Sequence, residues 1–202
     1  MPVPKGSALD PAATRARILD TATALFHARG VQAVGVNEIA ATAGASKLSL
    51  YRYFPSKEHL VTAMVVERSE HIHAWLRRET SDAPPGLSRV LAVFDLLIDW
   101  MGRPGYHGCV VLNTASDTRG KPEVVGELAR AHLSRYRELL TERIAELQPT
   151  PPEPSALAHQ LLLLIEGATV LTAIDGPDIS RAATDARAAA ATLVRSGAPP
   201  GA

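Results

Sequence analysis

The sequence predicts an all-α fold of about nine helices, and three observations carry that prediction. Apolar residues recur at three- and four-residue spacing along most of the chain, with almost no alternating run of the kind a half-buried strand needs. Residues that start and stop helices bracket those runs, as at Asp10-Pro11, Ala43-Gly44 and Ser46. Hydrophobic residues fill 46% of the 202 positions, enough for a packed core with a small appended module, whereas aromatic residues fill only 4%. A local cluster of rings therefore uses a large share of a scarce residue type.

Taken in order, Asp10 before Pro11 reads as a cap with proline in the first turn, and Ile18, Ala22, Leu25 and Phe26 form one apolar stripe ending near Arg29-Gly30. Val36, Ile39, Ala40 and Ala43 mark a short second helix stopped by Gly44, where a left-handed backbone costs least. Ser46 caps a third from Lys47 to Phe54, broken by Pro55, which has no amide hydrogen and disfavours helix in the residue before it. Ser56 caps a fourth that runs to about Glu79, where TSDAPPG closes it. The remainder divides at its punctuation into Gly86–Arg103, Cys109 to about Thr118, a long helix opened by Lys121-Pro122 and ending at Leu147, a QPTPPEP loop, Ser155–Asp175 and Ile179–Ser196. The final GAPPGA reads as a disordered tail.

Net charge is zero overall, but it is unevenly spread. Residues 1–60 hold seven Lys and Arg against four acids, a net +3, and the rest of the chain carries −3. Any pull on phosphate must therefore come from the N-terminal part. The single cysteine, Cys109, excludes an internal disulfide framework and suits a reducing compartment. The opening MPVPKGSALDP has no charged stretch followed by an apolar one, and no apolar run approaches the length of a membrane span, so a soluble cytoplasmic protein without membrane contact is expected.

Residues 43–60, AGASKLSLYRYFPSKEHL, place Tyr51, Tyr53 and Phe54 beside Lys47, Arg52 and Lys57. At about 100° per residue, Leu50 and Phe54 fall on one side of the third helix, Lys47, Leu48, Tyr51 and Arg52 on the other, and Ser49 and Tyr53 on the flanks. Exposing a tyrosine beside cations adds nothing to stability. A short helix joined to its predecessor by a glycine turn has the layout of a helix-turn-helix, whose second helix enters the major groove of double-stranded DNA. In that reading Lys47 donates to guanine acceptors, Leu48 and Tyr51 pack against thymine methyls or base edges, and Ser49, Arg52 and Tyr53 hold phosphates. Lys57 adds a cation at the start of the fourth helix, and Arg15 and Arg17 are further phosphate candidates.

The run from Gly30 to Val65 resembles the DNA-binding domain of TetR-like transcriptional repressors. The matching features are Ala22-x-x-Leu25-Phe26 before Arg29-Gly30, then Ile39-Ala40, Ala43-Gly44, Ser46, Leu50-Tyr51, Phe54 and Ser56-Lys57-Glu58-x-Leu60. Gly35 departs from the threonine usual in the family, a position that caps the second helix and often touches phosphate, and Leu48 stands where glycine is frequent. Asn37, in the second helix, joins the DNA-binding candidates on the strength of the resemblance. The resemblance implies a helix-turn-helix domain over 1–58, with helices at about 11–29, 36–43 and 47–54, and a helical ligand-binding and dimerisation domain over 59–202. It further implies a homodimer through the last two helices and a ligand-responsive regulator, most simply a repressor released from a pseudo-palindromic operator by a small molecule. A binding module of the same fold that lacks specific DNA contact is the alternative, and Gly35 and Leu48 make it conceivable.

Two stripes suit such a dimer: Ile179, Ala183, Ala186, Ala190 and Leu193 in the last helix, and Leu157, Leu161, Leu164, Ala168 and Leu171 with Gly167 in the one before. An ordinary intramolecular core would share that pattern. Ligand-binding candidates are Phe94, Leu97, Trp100, Met101, Leu112, Asn113, Ser116, Tyr136 and Glu166, although aromatics at helical spacing are commonly plain core. Glu166 lies inside LLLLIEGATV, so it is paired, protonated, facing a cavity or at the solvent edge. His71 and His73 lie about 200° apart on a helix and read as solvated surface, not as a chelating pair, and Cys109 reads as a small buried residue, not a redox sensor. No nucleophile elbow, P-loop or dinucleotide fingerprint is present, and no Cys/His group has metal spacing, so nothing supports an enzyme, a cofactor or a metal.

Overall fold

The computed structural model describes residues 10–119, 121–148, 150–176 and 180–196. Among them are nine α-helices and no strand: α1 Pro11–Arg29, α2 Val36–Thr42, α3 Lys47–Tyr53, α4 Lys57–Glu79, α5 Leu87–Met101, α6 Val110–Asp117, α7 Glu123–Ala145, α8 Pro154–Asp175 and α9 Ala182–Ser196. The helix count and class agree with the sequence, and the ends differ by a few residues where loops carry proline or glycine. The expected start of the last helix at Ile179 and the GAPPGA tail lie outside the described residues.

The chain divides into two compact units. One takes the chain up to Glu67 together with Leu112–Leu128, and the other takes Arg68–Val111 with the chain from Ala129 onward. In the first, Asp10 caps α1 by accepting from the Ala12 amide at 2.9 Å, and Ile18, Leu19, Ala22 and Phe26 are buried along one face. Val31, Val34, Ile39, Ala40, Leu50, Phe54, Leu60, Val61 and Met64 complete that core. Gly44 has φ +62°, and the amides of Gly44 and Ala45 return to the carbonyls of Ala41 and Ala40 at 3.1 and 2.9 Å. That pair of bonds is a Schellman turn, which ends α2 and needs a left-handed residue after the cap.

The second unit has its own core, in which α5, α8 and α9 pack together around Val90, Phe94, Leu97, Leu161, Ile165 and Ala190, and α7 adds Leu139, Leu140 and Ile144. Small residues at Ala168, Ala186 and Ala190 let these helices approach closely. Five residues of the two stripes expected to meet a partner, Leu157, Leu161, Ala168, Ala186 and Ala190, are buried within the chain. The apolar face left open on α8 keeps Gly167 and Leu171 of the expected stripe and adds Leu163, Val170 and Ile174.

Contrary to the sequence reading, one stretch does reach membrane-span length. α8 has 22 residues, and its most apolar 18-residue window has a mean hydropathy of 1.6. Its Leu157, Ala158, Leu161, Leu162, Ile165 and Ala168 serve as one wall of the core.

Candidate nucleic-acid interface and buried polar cluster

In α3 the seat and the display face separate cleanly. Ser46 caps the helix by accepting from the Ser49 amide at 3.0 Å, and Phe54 ends it with its own amide on the Leu50 carbonyl at 2.8 Å. Leu50 and Phe54 are fully buried, each stabilising the seat by about 1.5–3 kcal/mol relative to exposure. On the opposite side Leu48 is 75% exposed, Tyr51 is 38% exposed, and Lys47 and Arg52 are exposed. The Lys47 ammonium lies 5.9 Å from the centre of the Tyr51 ring.

The remaining predicted contacts are placed with more varied partners. Ser49 and Tyr53 are half-buried, and the Ser49 hydroxyl is 2.9 Å from that of Ser46, so it helps close the cap. Asn37 is exposed in the first turn of α2, where Gly35 provides no side-chain cap. The Arg15 guanidinium rests on the Phe54 ring at 5.1 Å, and Lys57 lies 5.9 Å from the Phe26 ring centre. Arg17 donates from Nε to the Ala43 carbonyl at 3.1 Å, which ties the end of α2 to α1. Arg29 of α1 pairs with Glu38 of α2 at 2.5 Å.

A contact that spacing could not suggest completes this unit. The Asp117 carboxylate, at the end of α6, accepts from the amides of Val31 and Gln32 at 2.5 and 3.2 Å. It closes over the turn after α1, where Gly30 has φ +80° and a side chain added there would stand 3.2 Å from Asp117 Oδ2.

In the other unit the structure corrects the reading of His73. His71 is exposed, but His73 is only 2% exposed, because Ser69 and Leu76 on the same stripe of α4 and Thr80 just past its end are all buried. His73 Nε2 is 3.0 Å from His132 Nδ1, which also meets Ser69 Oγ at 2.9 Å. His132 Nε2 is 3.5 Å from the Cys109 sulfur, and the Tyr136 ring stands edge-on to both imidazoles. Burial, reinforced by His132 and Arg135, lowers the His73 pKa to about 3; burial, with Arg135, lowers that of His132 to about 4. Both imidazoles are thus neutral, so neither supplies a cation that would hold Cys109 as a thiolate.

The ligand candidates fall in both units. Phe94, Leu97 and Met101 are buried and line a void of about 10 Å³ with Ile165, Ala168 and Ala186, room for one water-sized body. Trp100 is half-buried and edge-on to Tyr106. Tyr136 is buried, and Glu166 is half-buried with its pKa raised by burial to about 7. Leu112, Asn113 and Ser116 belong to the first unit, the last two with exposed side chains.

Residues 18–64 match the family model of bacterial regulatory proteins of the tetR family, and residues 86–190 match that of the tetracyclin repressor-like C-terminal domain. The chain belongs to the TetR family. The TetR family is one of transcriptional regulators, not of enzymes. A TetR-family transcriptional regulator from Streptomyces coelicolor shares the fold at TM-score 0.84 and 26% identity, over 92% of this chain and 96% of that one. The regulator UidR of Escherichia coli is 25% identical over 86% of this chain and 88% of its own length. An HTH-type transcriptional regulator of Mycobacterium tuberculosis is 31% identical over 58% of this chain, and the chain spans 60% of that relative's length.

Proposed function

We propose that this TetR-family chain is a homodimeric, DNA-binding transcriptional repressor that a small molecule releases from a pseudo-palindromic operator in the cytoplasm. The observation that carries the reading is the outward face of α3, where Lys47, Leu48, Tyr51 and Arg52 are exposed above a seat of buried Leu50 and Phe54. Lys47 and Tyr51 read base edges, while Arg52, Tyr53, Lys57, Arg15 and Asn37 position the duplex through phosphates. Two copies place two such helices about 34 Å apart, one turn of DNA.

The open apolar face of α8 supports the dimer. Burying the exposed halves of Leu163, Val170, Leu171 and Ile174 against a second copy gains about 1 kcal/mol per side chain. Effector and operator then oppose each other through a coupling of about 1–3 kcal/mol.

The test is a selection of duplexes from a random pool, followed by titration of the winning site over a salt series. The wild-type chain selects a two-fold symmetric site and loses affinity steeply with salt as phosphate contacts release counterions. Replacing Lys47 and Tyr51 with alanine costs about 2–4 kcal/mol on that site. Unchanged selection by the double variant, or no selected site for the wild type, would refute the reading.

A further inference from the structure

Two surface grooves of the first unit adjoin at the start of α4. One, of about 460 Å³, opens between the turn after α1, the first turns of α4 and the segment joining α6 to α7, where Val31, Lys57, Val61, Lys121 and Pro122 line it. The other, of about 430 Å³, lies on the neighbouring face of α4 and is lined by His59, Thr62, Ala63, Pro122 and Val124. Glu58 and Pro122 belong to both. Each volume falls within the range of about 300–1,000 Å³ typical of small-molecule sites, and no residue of α3 lines either groove.

The two grooves differ in chemistry. The first holds both lysines, and neither makes an ion pair or a side-chain hydrogen bond among the described residues. The Lys57 ammonium lies 5.9 Å from the Phe26 ring centre and meets no oxygen acceptor there. Glu58 is the one acid in the lining and pairs with neither lysine, and the Asp117 carboxylate is already taken by the amides of Val31 and Gln32. Two cations thus share a groove with one unpaired acid. The second groove is mostly apolar, with Ala63, Pro122 and the 38% exposed Val124 along it.

We propose that these adjoining grooves bind an amphiphilic monoanion, a carboxylate carrying an apolar chain, with its head at Lys57 and Lys121 and its chain laid past Pro122 toward Ala63 and Val124. Charge complementarity selects the head. Two lysines without partners answer one carboxylate through charge-assisted bonds, Glu58 repels a second negative charge on the ligand, and a cation would meet both lysines. Val61, Pro122 and Val124 receive the chain, whose removal from water drives binding. Lys57 is also a phosphate contact in the DNA-binding reading above, so ligand and duplex compete for one ammonium. That competition rests on the regulator reading, whereas the site does not.

The test titrates the full chain near neutral pH by calorimetry with octanoate, 1-octanol and octylammonium. The wild type binds octanoate at least about tenfold more tightly than the alcohol, and the ammonium least, as charge-assisted bonds predict. In Lys121→Met that preference falls at least about threefold, and in the double variant Lys57→Met with Lys121→Met it disappears. Equal or tighter binding of the alcohol or the ammonium, a preference unchanged in Lys121→Met, or no binding of octanoate overturns the proposal. On the selected duplex, octanoate weakens operator binding by the wild type and does so less for Lys121→Met, whose operator affinity without octanoate is that of the wild type. Operator binding indifferent to saturating octanoate overturns the competition at Lys57. Should no duplex be selected, the regulator reading fails and calorimetry still decides the site. Should the double variant fail to fold, Lys121→Met, at an exposed position, decides the matter by itself.

Discussion

Removing the Asp117 carboxylate tests how α6 holds the first turn of the DNA-binding unit. In Asp117→Ala the amides of Val31 and Gln32 lose their shared acceptor, one bond at 2.5 Å and the other at 3.2 Å. A hydrogen bond to a charged group contributes about 1.5–3 kcal/mol when buried, but Asp117 and Gln32 are exposed, so the expected loss is about 1–2 kcal/mol. For a chain of this size that lowers Tm by about 2–8 °C. The local readout is hydrogen exchange at Val31 and Gln32, which accelerates in the variant while exchange in the α5–α8–α9 core is unchanged. Asp117→Asn keeps one acceptor oxygen and loses about half as much.

Gly30→Ala gives a second arm of the same experiment. It forces a side chain into φ +80° and to within 3.2 Å of Asp117 Oδ2, so it destabilises the wild type by both strain and contact. In the Asp117→Ala background only the strain remains, and the two changes together cost less than their sum. Strictly additive effects, or protected Val31 and Gln32 amides in Asp117→Ala, would show that the carboxylate does not hold the turn.

Two further outcomes are expected. Stability depends on pH through two buried histidines and the half-buried Glu166: the folded pKa values of His73 and His132 fall to about 3 and 4, while that of Glu166 rises to about 7. Between about pH 4.5 and 6.5 the unfolded chain therefore binds two more protons at the histidines and one fewer at the glutamate, so stability falls on acidification by about 1.4 kcal/mol per pH unit. Glu166→Gln steepens that slope to about 2.7 kcal/mol per unit; a flat series of urea midpoints across this range would contradict the burial of the histidine pair. On α8, Leu171→Asp with Ile174→Glu places charge on the open apolar face and yields a monomer by sedimentation with weakened operator binding. An undiminished dimer would move the interface elsewhere.

Local chemistry explains what the sequence disclosed. Asp10-Pro11, Ser46 and Ala43-Gly44 act within four residues of themselves, so their helix ends are readable, and Leu50 and Phe54 are buried because their spacing puts them opposite Lys47 and Tyr51. What escaped depends on distant segments. Nothing near Asp117 indicates that it reaches Val31, 86 residues away. The spacing of His73 from His71 says nothing of burial, whereas Ser69, Leu76 and Thr80 at helical spacing from His73 mark its face as the inner one. The stripes on α8 and α9 are legible only in part, since small apolar residues suit an internal contact as well as an external one, and only the packed chain shows that Leu161 and Ala190 turn inward while Gly167 and Leu171 stay open.

The rings beneath the N-terminal cations bear on entropy as well as on placement. Arg15 lies over Phe54, Lys57 over Phe26 and Lys47 over Tyr51, so three long, flexible side chains are partly immobilised before any duplex arrives. Less rotamer freedom then remains to be lost on docking, which favours tight association without adding a contact. A lysine in place of Arg15 would preserve the charge but not the flat stacking, and its penalty would fall on preorganisation, not on electrostatic attraction.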